Sequence, residues 1–81
     1  MELQDILKQV RTEIGMTQVE IAEALHLSFS TVNRWENGRA RPNHLASVTI
    51  LALAKKKGAS QKTLAELKAA LSVGSSAGKG T

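Results

Sequence analysis

The chain has 81 residues, enough for one small domain, and a net charge of +4. It has no cysteine, which excludes a disulfide framework, a thiolate metal site and a cysteine nucleophile. No apolar run reaches the roughly 18–20 residues that span a bilayer, and the start Met-Glu-Leu-Gln-Asp is not a secretory signal, so a soluble, cytoplasmic chain is expected.

In chain order, Leu3, Ile6, Leu7, Val10 and Ile14 follow helical spacing, and Gly15 stops that first helix. Thr17 opens a short second helix, with Glu20 completing a T-x-x-E capping box and Met16 and Ile21 spaced as a hydrophobic staple. Its apolar positions are Val19, Ile21, Ala22 and Leu25. Ser28 is the next N-cap, and a third helix runs to about Asn37 before Gly38. Pro42 and Asn43 mark a loop and a new start. A fourth helix over 45–57 ends at Gly58 with three lysines in its last turn. Its residues 50–54, Ile-Leu-Ala-Leu-Ala, are apolar on every side, which places the helix in the core or in an interface. Ser60 opens a fifth helix striped by Leu64, Leu67 and Leu71. Beyond Val73 the composition reads as a flexible tail or linker over 74–81, leaving residues 1–73 as the domain. Nothing reads as a strand, so the fold class is all-α with five helices.

Charge is segregated along this order. Residues 1–33 hold two basic and five acidic side chains, whereas residues 34–62 hold seven basic ones against Glu36 alone. Such a division suits an anionic partner, because phosphate neutralisation supplies most non-specific nucleic-acid affinity. A lysine-rich helix end also complements its own dipole, which accounts equally well for Lys55–Lys57.

The second and third helices are separated by His26, Leu27 and Ser28 only, the spacing of a helix-turn-helix. Where two helices cross closely a small side chain is needed, and Ala22 supplies it. Ile21, Leu25, Leu27, Val32 and Trp35 are expected to face the core. The turn requires a residue that accepts positive φ; histidine is enriched there among non-glycine residues. At roughly 100° per residue from Phe29, Asn33, Asn37, Ser30 and Arg34 fall at about 40°, 80°, 100° and 140°. Trp35, Val32 and Glu36 fall at about 240°, 300° and 340°. One arc packs inward and the other carries the groups that read base edges.

The segments Met-Thr-Gln-Val-Glu-Ile-Ala-Glu-Ala-Leu and Leu-Ser-Phe-Ser-Thr-Val-Asn-Arg-Trp-Glu-Asn-Gly resemble the phage repressor and Cro (XRE-type) helix-turn-helix family. The likeness runs from Glu2 to about Lys57 and is strongest over 16–42; His26 is the one clear departure. It implies a five-helix lambda-repressor-like domain that binds double-stranded DNA through the major groove. It further implies that Phe29, Ser30 and Arg34 face the bases, with Thr31 and Asn33 at the edge. Phosphates would be held by Thr17, Gln18, Asn37, Arg39 and Arg41, and Arg11 would pair with Glu36. Members that act as dimers place half-sites about 34–36 Å apart, one helical turn. The Leu64, Leu67, Leu71 stripe is the expected homodimer surface, with packing onto the chain's own core an equal alternative.

The function expected is that of a transcriptional repressor. The alternatives are a DNA-targeting module of a larger DNA-acting protein and an antitoxin-like module with a protein partner. No catalytic triad, carboxylate pair or glycine-rich phosphate loop stands out, and His26 and His44 lack metal-ligand spacing. No cofactor, metal or small-molecule ligand is expected.

Overall fold

The computed structural model describes residues 2–71; the end of the domain at Val73 and the 74–81 tail lie outside the described residues. Five helices follow one another: α1 (Leu3–Glu13), α2 (Gln18–Leu25), α3 (Phe29–Glu36), α4 (His44–Lys56) and α5 (Gln61–Leu71). Among the described residues there is no strand.

The starts of α2, α3 and α4 are fixed by local side-chain caps. Thr17 Oγ1 accepts from the Glu20 N–H while Glu20 accepts from the Thr17 N–H, the reciprocal pair expected of the capping box. Ser28 caps α3 by accepting from the Thr31 N–H, and Asn43 caps α4 by accepting from the Ala46 N–H.

The stops share one geometry. At the ends of α1 to α4 the residue with positive φ is Gly15, His26, Gly38 and Gly58 in turn. In each case its N–H and that of the next residue bond back to the last turn. At α2, for example, His26 donates to Glu23 O and Leu27 donates to Ala22 O. This double bond back to the helix is the Schellman motif, which satisfies otherwise orphaned carbonyls. His26, with φ 59°, does the work that glycine does at the other three ends.

The core gathers the inner faces of all five helices. Leu3, Ile6, Leu7 and Val10 of α1 meet Val32 and Trp35 of α3, Ile50 and Ala54 of α4, and Leu67 and Leu71 of α5. Ala22 is 3% exposed where α2 crosses the bundle, as a close crossing requires.

Two expectations are corrected, for Leu27 and for the fourth helix, and the two readings of the fifth-helix stripe are weighed. Leu27 is 39% exposed rather than core. It follows the left-handed His26, and the turn swings its side chain onto the rim of a roughly 340 Å³ cavity between α3 and α4, beside Leu25, Trp35 and Leu45. Of the fifth-helix stripe, Leu67 and Leu71 are buried within the chain and Leu64 is half-buried, because α5 lies on α1 and α4, so the alternative of packing onto the chain's own core holds for these two leucines. The fourth helix is one-sided after all, with Ile50 and Ala54 buried while Leu45 and Val48 stand 74% and 42% exposed.

Candidate nucleic-acid interface

The outward arc of α3 exists because its inward arc is so firmly held. Val32 and Trp35 are 2% and 6% exposed, and they fix the rotation of the helix about its axis. That rotation leaves Phe29, half exposed, beside Ser30 and Arg34, both exposed. Arg34 sits in the last turn of α3, where a cation also complements the helix dipole.

Glu36 is the exception to the inner face being apolar. It is 3% exposed, and a carboxylate at that depth needs partners. Arg11 provides a fork: its Nε donates to Oε2 at 2.8 Å and its Nη2 to Oε1 at 3.1 Å. Arg11 Nη1 also reaches the carbonyl of Met16, so one guanidinium ties α1, the α1–α2 turn and α3 together. Its hydrogen bonds to Glu36 raise the already high guanidinium pKa, against a smaller opposing effect of burial.

Gln18, the first residue of α2, turns inward as well. Its Nε2 donates to Glu36 Oε1 at 2.9 Å, and its Oε1 accepts from Asn33 Nδ2 at 3.1 Å. Asn33 Oδ1 in turn accepts from Asn37 Nδ2 at 2.9 Å. Three of the expected contact residues from two helices are therefore joined in one chain of amides. Sequence spacing gave no sign of this chain beyond placing Asn33 and Asn37 one turn apart.

The remaining expected residues divide. Thr17 lies exposed at the same helix start as Gln18, its hydroxyl used in the cap. Arg39 is exposed in the loop after α3. Arg41 is exposed too, but its Nη2 donates to the carbonyl of Ala70 at 3.0 Å, closing the far end of α5. Thr31 stands apart from Phe29, Ser30 and Arg34. It is half-buried, its hydroxyl is 2.9 Å from Ser28 Oγ, and it lines the cavity between α3 and α4.

The comparisons agree with the helix-turn-helix architecture. Residues 7–43, which span α1 from its middle through the cap of α4, match the family described as Helix-turn-helix. The HTH-type transcriptional activator BcrR of Enterococcus faecalis is 40% identical over 43 residues, covering 53% of this chain and 21% of that protein. The type II methyltransferase M1.ScrFI of Lactococcus lactis subsp. cremoris is 38% identical over 53 residues, covering 62% of this chain and 14% of that enzyme. The chain thus corresponds to only a small part of the length of either relative. No solved structure matches. With two short helices joined by a three-residue turn, and an inner face built on Val32 and Trp35, residues 7–43 form a helix-turn-helix that matches the model of that family.

Proposed function

We propose that this chain binds double-stranded DNA in a sequence-specific manner by setting the outer arc of α3 in the major groove, and that it acts as a transcriptional regulator. The simplest form of that action is repression, by covering a site that other proteins need. The observation that carries the reading is the exposure of Phe29, Ser30 and Arg34 on a helix whose rotation is locked by buried Val32 and Trp35. Arg34 has the fork that matches guanine O6 and N7, and Phe29 offers an apolar face to a thymine methyl. Thr17 and Gln18 stand at the positive end of α2, where a phosphate is favoured. Asn37, Arg39 and Arg41 flank α3 on its other side and complete the hold on the backbone. Asn33 contributes at the margin of the base-reading surface. The regulator works in the cytoplasm of a prokaryotic or phage-type cell, at the nucleoid, without a catalytic step of its own.

A second reading is favoured by the methyltransferase relative: the same module would deliver a larger DNA-acting protein to its site. The two differ in autonomy. A regulator domain binds its selected site tightly by itself, whereas a targeting module binds weakly until joined to the rest of its protein.

Selection of bound sequences from a random duplex pool tests the proposal. Arg34→Ala is expected to lower discrimination at one base position by about 1–3 kcal/mol. Arg41→Ala is expected to weaken all sequences alike and to flatten the salt dependence by about one unit of log–log slope. Variants that bind selected and random duplexes as the parent does would remove these assignments.

A further inference from the structure

The amide chain that starts at Glu36 has a direction. A carboxylate only accepts hydrogen bonds, and Glu36 already takes two from Arg11, so the Gln18 carboxamide must present its NH2 to Oε1. Gln18 Oε1 then faces Asn33, which must present its own NH2. Asn33 Oδ1 then faces Asn37, which must do the same. Each amide has two possible orientations related by a half-turn, and in isolation nothing selects between them. Here a single buried charge selects all three in series.

From this we infer that Glu36 is a positioning residue for DNA recognition. Through Gln18 it fixes the orientation of the Asn33 and Asn37 amides, so that each amide of the relay keeps one N–H to offer outward and Asn37 carries the free carbonyl oxygen. Asn37 Oδ1 accepts no hydrogen bond from the described residues, and Asn37 is exposed. Asn33 has both ends of its amide engaged, so the paired donor and acceptor needed to read adenine N6 and N7 are already in use. It serves as a single donor and as the link to Asn37. A residue at 36 with no hydrogen-bonding side chain would set no such order. Glutamine there would turn its oxygen to Arg11 and its NH2 to Gln18, and the relay would run backwards, with the outward face of Asn37 exchanged from acceptor to donor.

The DNA half of this inference rests on the function proposed above, so its experiment has two arms. In the free protein, the side-chain NH2 resonances of Asn37 are followed by nitrogen–proton NMR in Glu36→Gln and in Gln18→Met. Neither substituted side chain hydrogen-bonds Asn37 directly. Both variants are expected to move the Asn37 resonances. Gln18 is only half-buried, so its variant gives the answer even where Glu36→Gln fails to fold. Unmoved Asn37 resonances in a folded variant overturn the relay. On the selected duplex, Glu36→Gln is expected to change affinity about fivefold in the parent but less than about twofold in a Gln18→Met background, where the relay is already cut. An equal change in both backgrounds overturns the positioning role. If the parent chain retains no duplex at all, the DNA-binding reading itself fails, and the NMR arm still decides whether Glu36 orders the amides.

Discussion

His26 shows how one backbone angle can be bound up with a motif. It holds φ 59° and supports the same pair of back-bonds as the glycines that end α1, α3 and α4. A side chain in this region costs roughly 1–2 kcal/mol, less for residues such as histidine that tolerate it. Replacing it with glycine removes that strain but frees the unfolded chain by about 0.4–1 kcal/mol. His26→Gly is therefore expected to stabilise the domain by about 0.5–1 kcal/mol, a rise of a few degrees in Tm at this size, measured by thermal unfolding. An unchanged or lowered Tm would mean that the histidine ring contributes something beyond occupying the turn. Gly38, at φ +74°, is held to glycine by the same backbone angle, where any L side chain is strained. Arg41 presents the opposite case of a side chain with two claims on it. One N–H closes the end of α5 on Ala70 O, and the proposed function assigns the others to phosphate.

Among the helices, α5 owes its placement to a residue of α1. The Glu13 carboxylate accepts from the Ser60 N–H at 2.6 Å and from the Thr63 hydroxyl at 2.8 Å. Thr63, 1% exposed, also accepts from Gln9 Nε2 and from Ser60 Oγ, so its hydroxyl is fully used at the point where α5 meets α1. The Ser60 backbone bond, then the Thr63 side-chain bond, hold the Glu13 pKa below its ordinary value against weaker desolvation. A carboxyl group with a lower pKa in the folded state stabilises the fold above its unfolded pKa. That contribution is lost as pH falls through the folded value. Glu13→Gln is expected to be less stable than the parent at neutral pH, with the gap closing in acid below the ordinary carboxylate range. Denaturation midpoints measured from pH 7 down to acid check this; a gap that stays constant with pH would rule out an ionised Glu13 as the clamp. The segment Gln61–Leu71 has helical spacing in its sequence, but its docking depends on Glu13, some fifty positions away, which local pattern does not reveal.

At the scale of the molecule, the burial of α5 decides what its leucine stripe is for. Leu67 has no exposed surface and sits against α1 and α4. Leu67→Ala is expected to cost about 3–5 kcal/mol through the cavity it leaves, a large share of the stability of a domain this small. The loss should be the same in denaturation runs at low and high protein concentration. A concentration-dependent loss would instead return the stripe to an interface between copies. The same fold brings the segregated charges to a purpose. The acidic first third of the chain supplies Glu13 and Glu20 to helix starts, while Arg34 and Arg39 lie exposed at the end of α3.

Helix order, the capping box at Thr17, the cap at Ser28, the left-handed turn at His26 and the two arcs of α3 were all legible in the linear sequence. Each depends on neighbours within about one or two helical turns, and so does the chemistry that produces it. The ion pair of Arg11 with Glu36 came from family resemblance, and the structure bears it out with two bonds. What only the tertiary structure decided lies between distant residues. Leu27 was released to the surface, and Leu67 and Leu71 were taken into the core. Arg41 reached Ala70, and Gln18, Asn33 and Asn37 joined in a line from Glu36. Periodicity shows which face of a helix is apolar or polar, but not which neighbour covers it, because burial and hydrogen bonding depend on three-dimensional distances that sequence separation does not encode.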